Sequence, residues 1–156
     1  LVSEHSERLL SATLTNTGAV IGTPDAWNTR SANVLELGLP AMAMDIVPRW
    51  FGPHACEKQP ALVEGWSVIM GRGDDRSYAL LCEMLGRVDF REQLGQHQVP
   101  LRLLGGSDDV ATPPDTLRAL ADVSGAAEPV VLEQIGHVPS VECPDAFSQI
   151  LLDALT

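Results

Sequence analysis

Two adjacent carboxylates, Asp108 and Asp109, and one histidine, His137, are the residues best placed to do chemistry. Each follows a strand-like run: Val99 to Leu104, closed by Gly105-Gly106, and the apolar stretch from Pro129 to Leu132. In an open parallel sheet the loops beyond the carboxyl ends of the strands converge on a crevice, so groups on consecutive loops are placed to meet. A carboxylate and an imidazole meeting there form an acid–base pair, in which the carboxylate holds the ring tautomer and stabilises the imidazolium. The pair would serve as general base for a nucleophile. Taken singly, each residue has a plainer account. An Asp-Asp step before Thr112-Pro113-Pro114 can be turn and helix-cap chemistry, and a histidine after Gly136 can be a surface side chain. Their joint placement after consecutive strands is what favours catalysis.

The elements that must position them alternate. Leu9 to Asn16 is short, apolar and β-branched, and bounded by Asn16-Thr17-Gly18, as a buried strand would be. Four helical segments follow: residues 24 to 37, opened by Thr23-Pro24-Asp25 and stopped by Gly38, then about 40 to 50, 59 to 70 and 74 to 85. Gly52-Pro53 breaks the second of them. The strand ending at Gly105, a helix after Pro114, the strand at 129 to 132 and a closing helix from Pro144 to about Leu155 complete the chain. This tail predicts a parallel sheet covered by helices, an α/β fold. Ser3 to Arg8 reads as the end of a helix begun upstream. Leu62, Trp66 and Met70 share a helical face and suit packing.

The 156 residues, 45% of them apolar, suffice for one ordinary core. A net charge of -11 excludes nucleic acid as a partner, because phosphate neutralisation needs clustered cations. No apolar run approaches the ~20 residues of a membrane-spanning helix, and no basic segment precedes an apolar one as in a secretory signal. A cytoplasmic protein is the expectation. Cys56, Cys82 and Cys143 have neither disulfide nor zinc spacing and read as reduced, mostly buried thiols. His5, His54 and His97 lack supporting motifs, and His54 and His97, in a Pro-Gly rich loop and a Gln-rich connector, read as solvent-exposed. No metal or organic cofactor is implied.

Residues Gly105 to Pro114 (Gly-Gly-Ser-Asp-Asp-Val-Ala-Thr-Pro-Pro) resemble the loop that delivers the acid in the α/β-hydrolase superfamily. Gly136 to Phe147 is similar to that superfamily's catalytic-histidine loop and final helix. The match implies Asp109 as the acid, with Asp108 the fallback, and His137 as the base. Thr15 to Arg30, with Pro48-Arg49-Trp50-Phe51, resembles the corresponding strand and cap of the 3-oxoadipate enol-lactonases of the β-ketoadipate pathway. The resemblance implies an α/β-hydrolase fold with a helical cap: residues 1–20 as a core segment, 21–97 as the cap and 98–156 as the C-terminal core. It also implies that the N-terminal part of the core is missing, since single-domain enzymes of this type run to roughly 250 residues.

The implied reaction is hydrolysis of 3-oxoadipate enol-lactone to 3-oxoadipate by a serine nucleophile. One departure matters. The superfamily carries that serine on a G-x-S-x-G turn, and no such pentapeptide occurs here. Gly105-Gly106-Ser107 belongs to the acid loop, and Ser67 lies mid-helix. A carboxylesterase and a non-catalytic protein therefore stay open as alternatives, and the 156 residues alone are expected to be inactive. The implied partner is a small-molecule lactone bearing a carboxylate, which a protein of charge -11 repels at long range. A local guanidinium must hold it. Trp27 and Arg30 share a helix face and are the expected substrate-binding pair, the alternative being a core tryptophan and a surface arginine. Arg49 and Trp50 form a second pair whose neighbouring side chains would point to different faces.

Overall fold

Three short parallel strands, β1 (Ala12–Thr15), β2 (Leu101–Gly106) and β3 (Val130–Leu132), form a sheet in that order. The computed structural model describes residues 1–95 and 97–153. Ala12 is paired with Leu101 and Leu104 with Val130, so the two loops at the carboxyl ends of β2 and β3 lie side by side. β1 is shorter than the apolar run predicts because pairing starts only at Ala12, and Leu10 is 96% exposed. The helix end expected at Ser3 to Arg8 is a single 3₁₀ turn, Ser6–Arg8.

The helices between β1 and β2 begin or end on residues that explain them. α1 (Pro24–Leu37) is capped by the Thr23 side chain, which accepts from the Ala26 amide, and ends at Gly38, whose φ of 79° only glycine adopts freely. α2 (Leu39–Ile46) is shorter than expected, and the chain continues as a 3₁₀ turn, Val47–Trp50, with Pro48 in its first turn. Pro48 cannot donate the bond that would carry the α-helix on. Gly52-Pro53, read above as a break, opens a further helix, α3 (Pro53–Lys58), with proline at its first position. α4 (Pro60–Gly71) and α5 (Asp75–Leu85) stand where the pattern places them, α5 capped by Asp74. A short α6 (Arg91–Leu94) completes a segment richer than the four elements predicted.

Beyond β2 lie α7 (Pro114–Ser124), then β3, a short α8 (Pro139–Glu142) and α9 (Pro144–Asp153). The expected continuation of the closing helix to Leu155 lies outside the described residues. Apolar packing divides into three clusters. Leu103, Leu117 and Leu120 fill the space between the sheet and α7 with Leu14, while Val34, Leu39 and Ala79 join α1, α2 and α5. Val47, Phe51 and Ala55 form the third, and Val138 and Val141 pack onto it from beyond β3. That third cluster binds the loop after β3 to the helical segment.

β1 has a strand neighbour on one side only among the described residues, and beside it runs an apolar cavity of about 520 Å³ lined by Leu9, Leu14, Leu85 and Phe90. No described helix is long and apolar enough to cross a membrane. The cysteines are free thiols, Cys82 buried and the others half-buried. His97 differs from expectation: it is half-buried, with Nε2 3.1 Å from the Ser124 carbonyl.

Candidate active site

The loop after β2 turns on Asp109. Its Oδ1 accepts the amides of Ala111 and Thr112, both at 2.8 Å, an Asx-type turn that delivers the chain to Pro113 and the start of α7. Its Oδ2 faces the other way and takes three donors: Asn16 Nδ2 at 2.9 Å, Thr112 Oγ1 at 2.8 Å and His137 Nδ1 at 2.9 Å. One carboxylate thus performs both the turn chemistry and the contact with histidine. A carboxylate only accepts, so Nδ1 carries the proton and the Nε2 lone pair is left free for a proton from elsewhere. Thr112 Oγ1 lies 3.2 Å from the same Nδ1 and fixes the ring further.

Asp109 is 2% exposed. Burial alone would push its carboxyl up, but the bonds from the His137 and Asn16 side chains and the Thr112 amide outweigh it and hold the carboxyl down at about 2. It is a carboxylate at neutral pH. Asp108, the fallback, is half-buried and accepts from Ser107 Oγ instead, at 3.0 Å. The structure does not bring it to the histidine.

The histidine loop is held from three sides. The Gly136 amide donates to Glu142 Oε1 at 2.9 Å, the Gly136 carbonyl accepts from Asn16 Nδ2 at 3.2 Å, and the His137 amide donates to the Trp50 carbonyl at 2.8 Å. Glu142 Oε2 also accepts the Gly52 amide at 2.8 Å, so one carboxylate joins the helical segment to the loop after β3. Glycine is required where they meet. A Cβ on Gly136 would come within 2.5 to 2.7 Å of the backbone of Trp50, Phe51 and Gly52.

A cavity of about 390 Å³ opens over this pair, its wall including Asn16, Trp27, Arg30, Arg49, Tyr78 and His137. The size suits a small organic molecule. Arg30 lies over the Trp27 ring at 5.1 Å from its centroid, a cation–π contact, and the Trp27 indole donates to the Ile21 carbonyl. The structure therefore brings Trp27, Arg30 and His137 to one cavity, with Asp109 beneath His137. Arg49 and Trp50 both line it as well, against the expectation that their neighbouring side chains diverge. Neither Arg30 nor Arg49 has a carboxylate partner among the described residues, whereas Arg87, Arg91 and Arg118 do. Burial raises the Tyr78 phenol and the Cys82 thiol above their usual ranges, and the Arg30 charge opposes this in both, so the guanidinium stands close to each. No group of residues among those described could hold a metal ion.

Asn16, Thr112 and Glu142 were not singled out by the sequence reading. Asn16 reads as a turn residue, Thr112 as part of a helix start and Glu142 as one acid among many.

No family model matches the chain. The enol-lactonase of Burkholderia xenovorans superposes on 99% of this chain with a TM-score of 0.90 at 29% identity, over 59% of its own length. A thermophilic esterase from Thermogutta terrifontis superposes on 97% with a TM-score of 0.86 at 23% identity, over 57% of its length. The chain has the α/β-hydrolase fold. Among curated proteins this chain is similar to 3-oxoadipate enol-lactonase 2 of Acinetobacter baylyi, 34% identical over 153 residues, and to enol-lactonase 1 of that organism, 27% identical over 151 residues. The matches cover 95% and 94% of this chain but 55% and 54% of those proteins, so the chain spans about half the length of the curated relatives it matches.

Proposed function

We propose that the chain is the part of a serine-type cytoplasmic hydrolase that carries the acid, the histidine and the substrate cavity, and that its substrate is a carboxylate-bearing lactone, 3-oxoadipate enol-lactone. The observation that carries the reading is the 2.9 Å contact of His137 Nδ1 with the buried Asp109 carboxylate, at a cavity that also holds two arginines without carboxylate partners among the described residues. Names of the relatives support the substrate class. In this reading a serine supplied outside the 156 residues attacks the ring carbonyl while His137 Nε2 takes its proton, and Asp109 stabilises the imidazolium so formed. His137 returns the proton to the enol oxygen that leaves. It then draws a proton from water, whose oxygen attacks the acyl-enzyme ester, and returns that proton to the departing serine oxygen, while the enol tautomerises to the ketone of 3-oxoadipate. Arg30, held by Trp27, grips the free carboxylate.

The test uses a full-length enzyme containing this sequence. It should consume the enol-lactone, followed by the loss of its absorbance, faster than neutral esters of similar size. Arg30→Ala should raise KM for the lactone roughly tenfold to a hundredfold, the worth of one charge-assisted hydrogen bond, and leave the esters unaffected. Faster turnover of the neutral esters would establish a carboxylesterase in its place, and no turnover of either would establish a non-catalytic protein.

A further inference from the structure

Asn16 stands where the carboxyl ends of all three strands meet. Its backbone amide donates to the Leu104 carbonyl at 2.9 Å, continuing the ladder of β1 and β2 for one step. The chain then turns out of the sheet at φ 47°, one of two non-glycine residues at positive φ among those described. That conformation is unfavourable for most residues, and asparagine is among the few that tolerate it. The turn points the side chain across the sheet, where Nδ2 donates to Asp109 Oδ2 at 2.9 Å and to the Gly136 carbonyl at 3.2 Å. Both partners only accept, so the amide orientation is fixed by its neighbours. The residue is 8% exposed and lines the cavity.

We infer that Asn16 is a positioning residue that holds the acid and the histidine loop in register with each other. Few side chains can do this. Serine or threonine offers one donor where two are needed, aspartate offers none to these acceptors, and glycine meets the backbone demand while losing both bonds. Asp109 Oδ2 is left with a fixed third donor beside Thr112 and His137, and the carbonyl preceding His137 is tied to the same amide. Among the described residues the one titratable side chain bonded to Asp109 is His137; the other donors are Asn16, Thr112 and the Ala111 amide. The Asn16 bond is one of the contacts that keep the Asp109 carboxyl low.

The inference rests on the reading of Asp109 and His137 as the acid–base pair, and its test is independent of which reaction they serve. In a full-length protein containing this sequence, ¹³C-carboxyl titration reads the Asp109 pKa and low-field ¹H NMR reads the His137 Nδ1 proton. Asn16→Gly, which relieves the backbone strain, should move the Asp109 pKa up from about 2 by roughly one pH unit or more and shift or broaden the Nδ1 proton. Asn16→Asp keeps the size and puts a like charge against Oδ2, so it should move the pKa further, with the two carboxylates titrating as a pair. A folded variant of either kind with an unchanged Asp109 pKa and an unchanged Nδ1 proton would overturn the inference. A full-length enzyme that failed to hydrolyse the lactone would count against the proposed function and leave this result standing.

Discussion

Replacing Asp109 by asparagine tests whether the site is an ionised carboxylate stabilised by its donors. The carboxyl lies at about 2 in the fold against an ordinary 3.8. At about 1.4 kcal/mol per pH unit, that difference stabilises the native state by roughly 2 kcal/mol at neutral pH. The sign follows from the direction: a lowered folded value means the unfolded chain takes up the proton first, so the stabilisation is present above the unfolded value and lost as pH falls through the folded one. Between pH 5 and pH 3 the two-state binding curves remove about 1 kcal/mol of it, and the rest disappears near and below pH 2. The substitution Asp109→Asn brings its own cost, since the NH₂ group of the new amide would face Asn16 Nδ2, donor against donor. That cost does not depend on pH and cancels when conditions are compared. Urea unfolding of both proteins, followed by circular dichroism at pH 5 and 3, below the range in which histidine ordinarily titrates, should show the stability gap narrower by about 1 kcal/mol at pH 3. A gap that stayed constant to pH 3, or widened, would refute the assignment of the stabilised charge to Asp109.

Gly136→Ala drives a Cβ into backbone atoms of Trp50, Phe51 and Gly52 at 2.5 to 2.7 Å, and its thermal midpoint should drop by an amount worth roughly 2 kcal/mol or more. Gly65→Ala, in α4 with no atom within 4 Å of the added Cβ, should instead stabilise the fold by about 0.5–1 kcal/mol, read as a higher midpoint in differential scanning calorimetry. Glu142→Gln leaves a single acceptor oxygen for the Gly52 and Gly136 amides, so one of the two should lose hydrogen-exchange protection and stability should fall by about 1–3 kcal/mol.

Local signals were legible where one segment decides its own structure. Thr23-Pro24 and Gly38 mark both ends of α1 because cap and proline chemistry are encoded in the residues themselves. Asp109 is recognisable from its place between a strand and a proline-led helix, and the same Asp-x-x-Thr geometry that makes it a turn residue aims its second oxygen at His137. What escaped notice depends on distant partners. Asn16 offers no pattern, since its two acceptors come from the loops after β2 and β3. Glu142 joins Gly52 to Gly136 through backbone amides, which no side-chain motif announces. Pro48 explains why the second helix is shorter than its pattern: apolar spacing persists through Val47–Trp50 while the missing amide favours a tighter turn. Both Arg49 and Trp50 of that turn line the cavity.

The parallel pairing of β1 with β2 spans the whole helical segment, whereas β2, α7 and β3 form a local strand–helix–strand unit. Closing the longer loop costs more chain entropy, and such pairing forms late. Asp109 and His137 sit on the local unit, while Asn16, Trp27 and Arg30 reach them only when β1 docks. Folding should therefore assemble the acid–histidine contact before the cavity above it exists, an order that pulsed hydrogen exchange would reverse if the β1 amides were protected first.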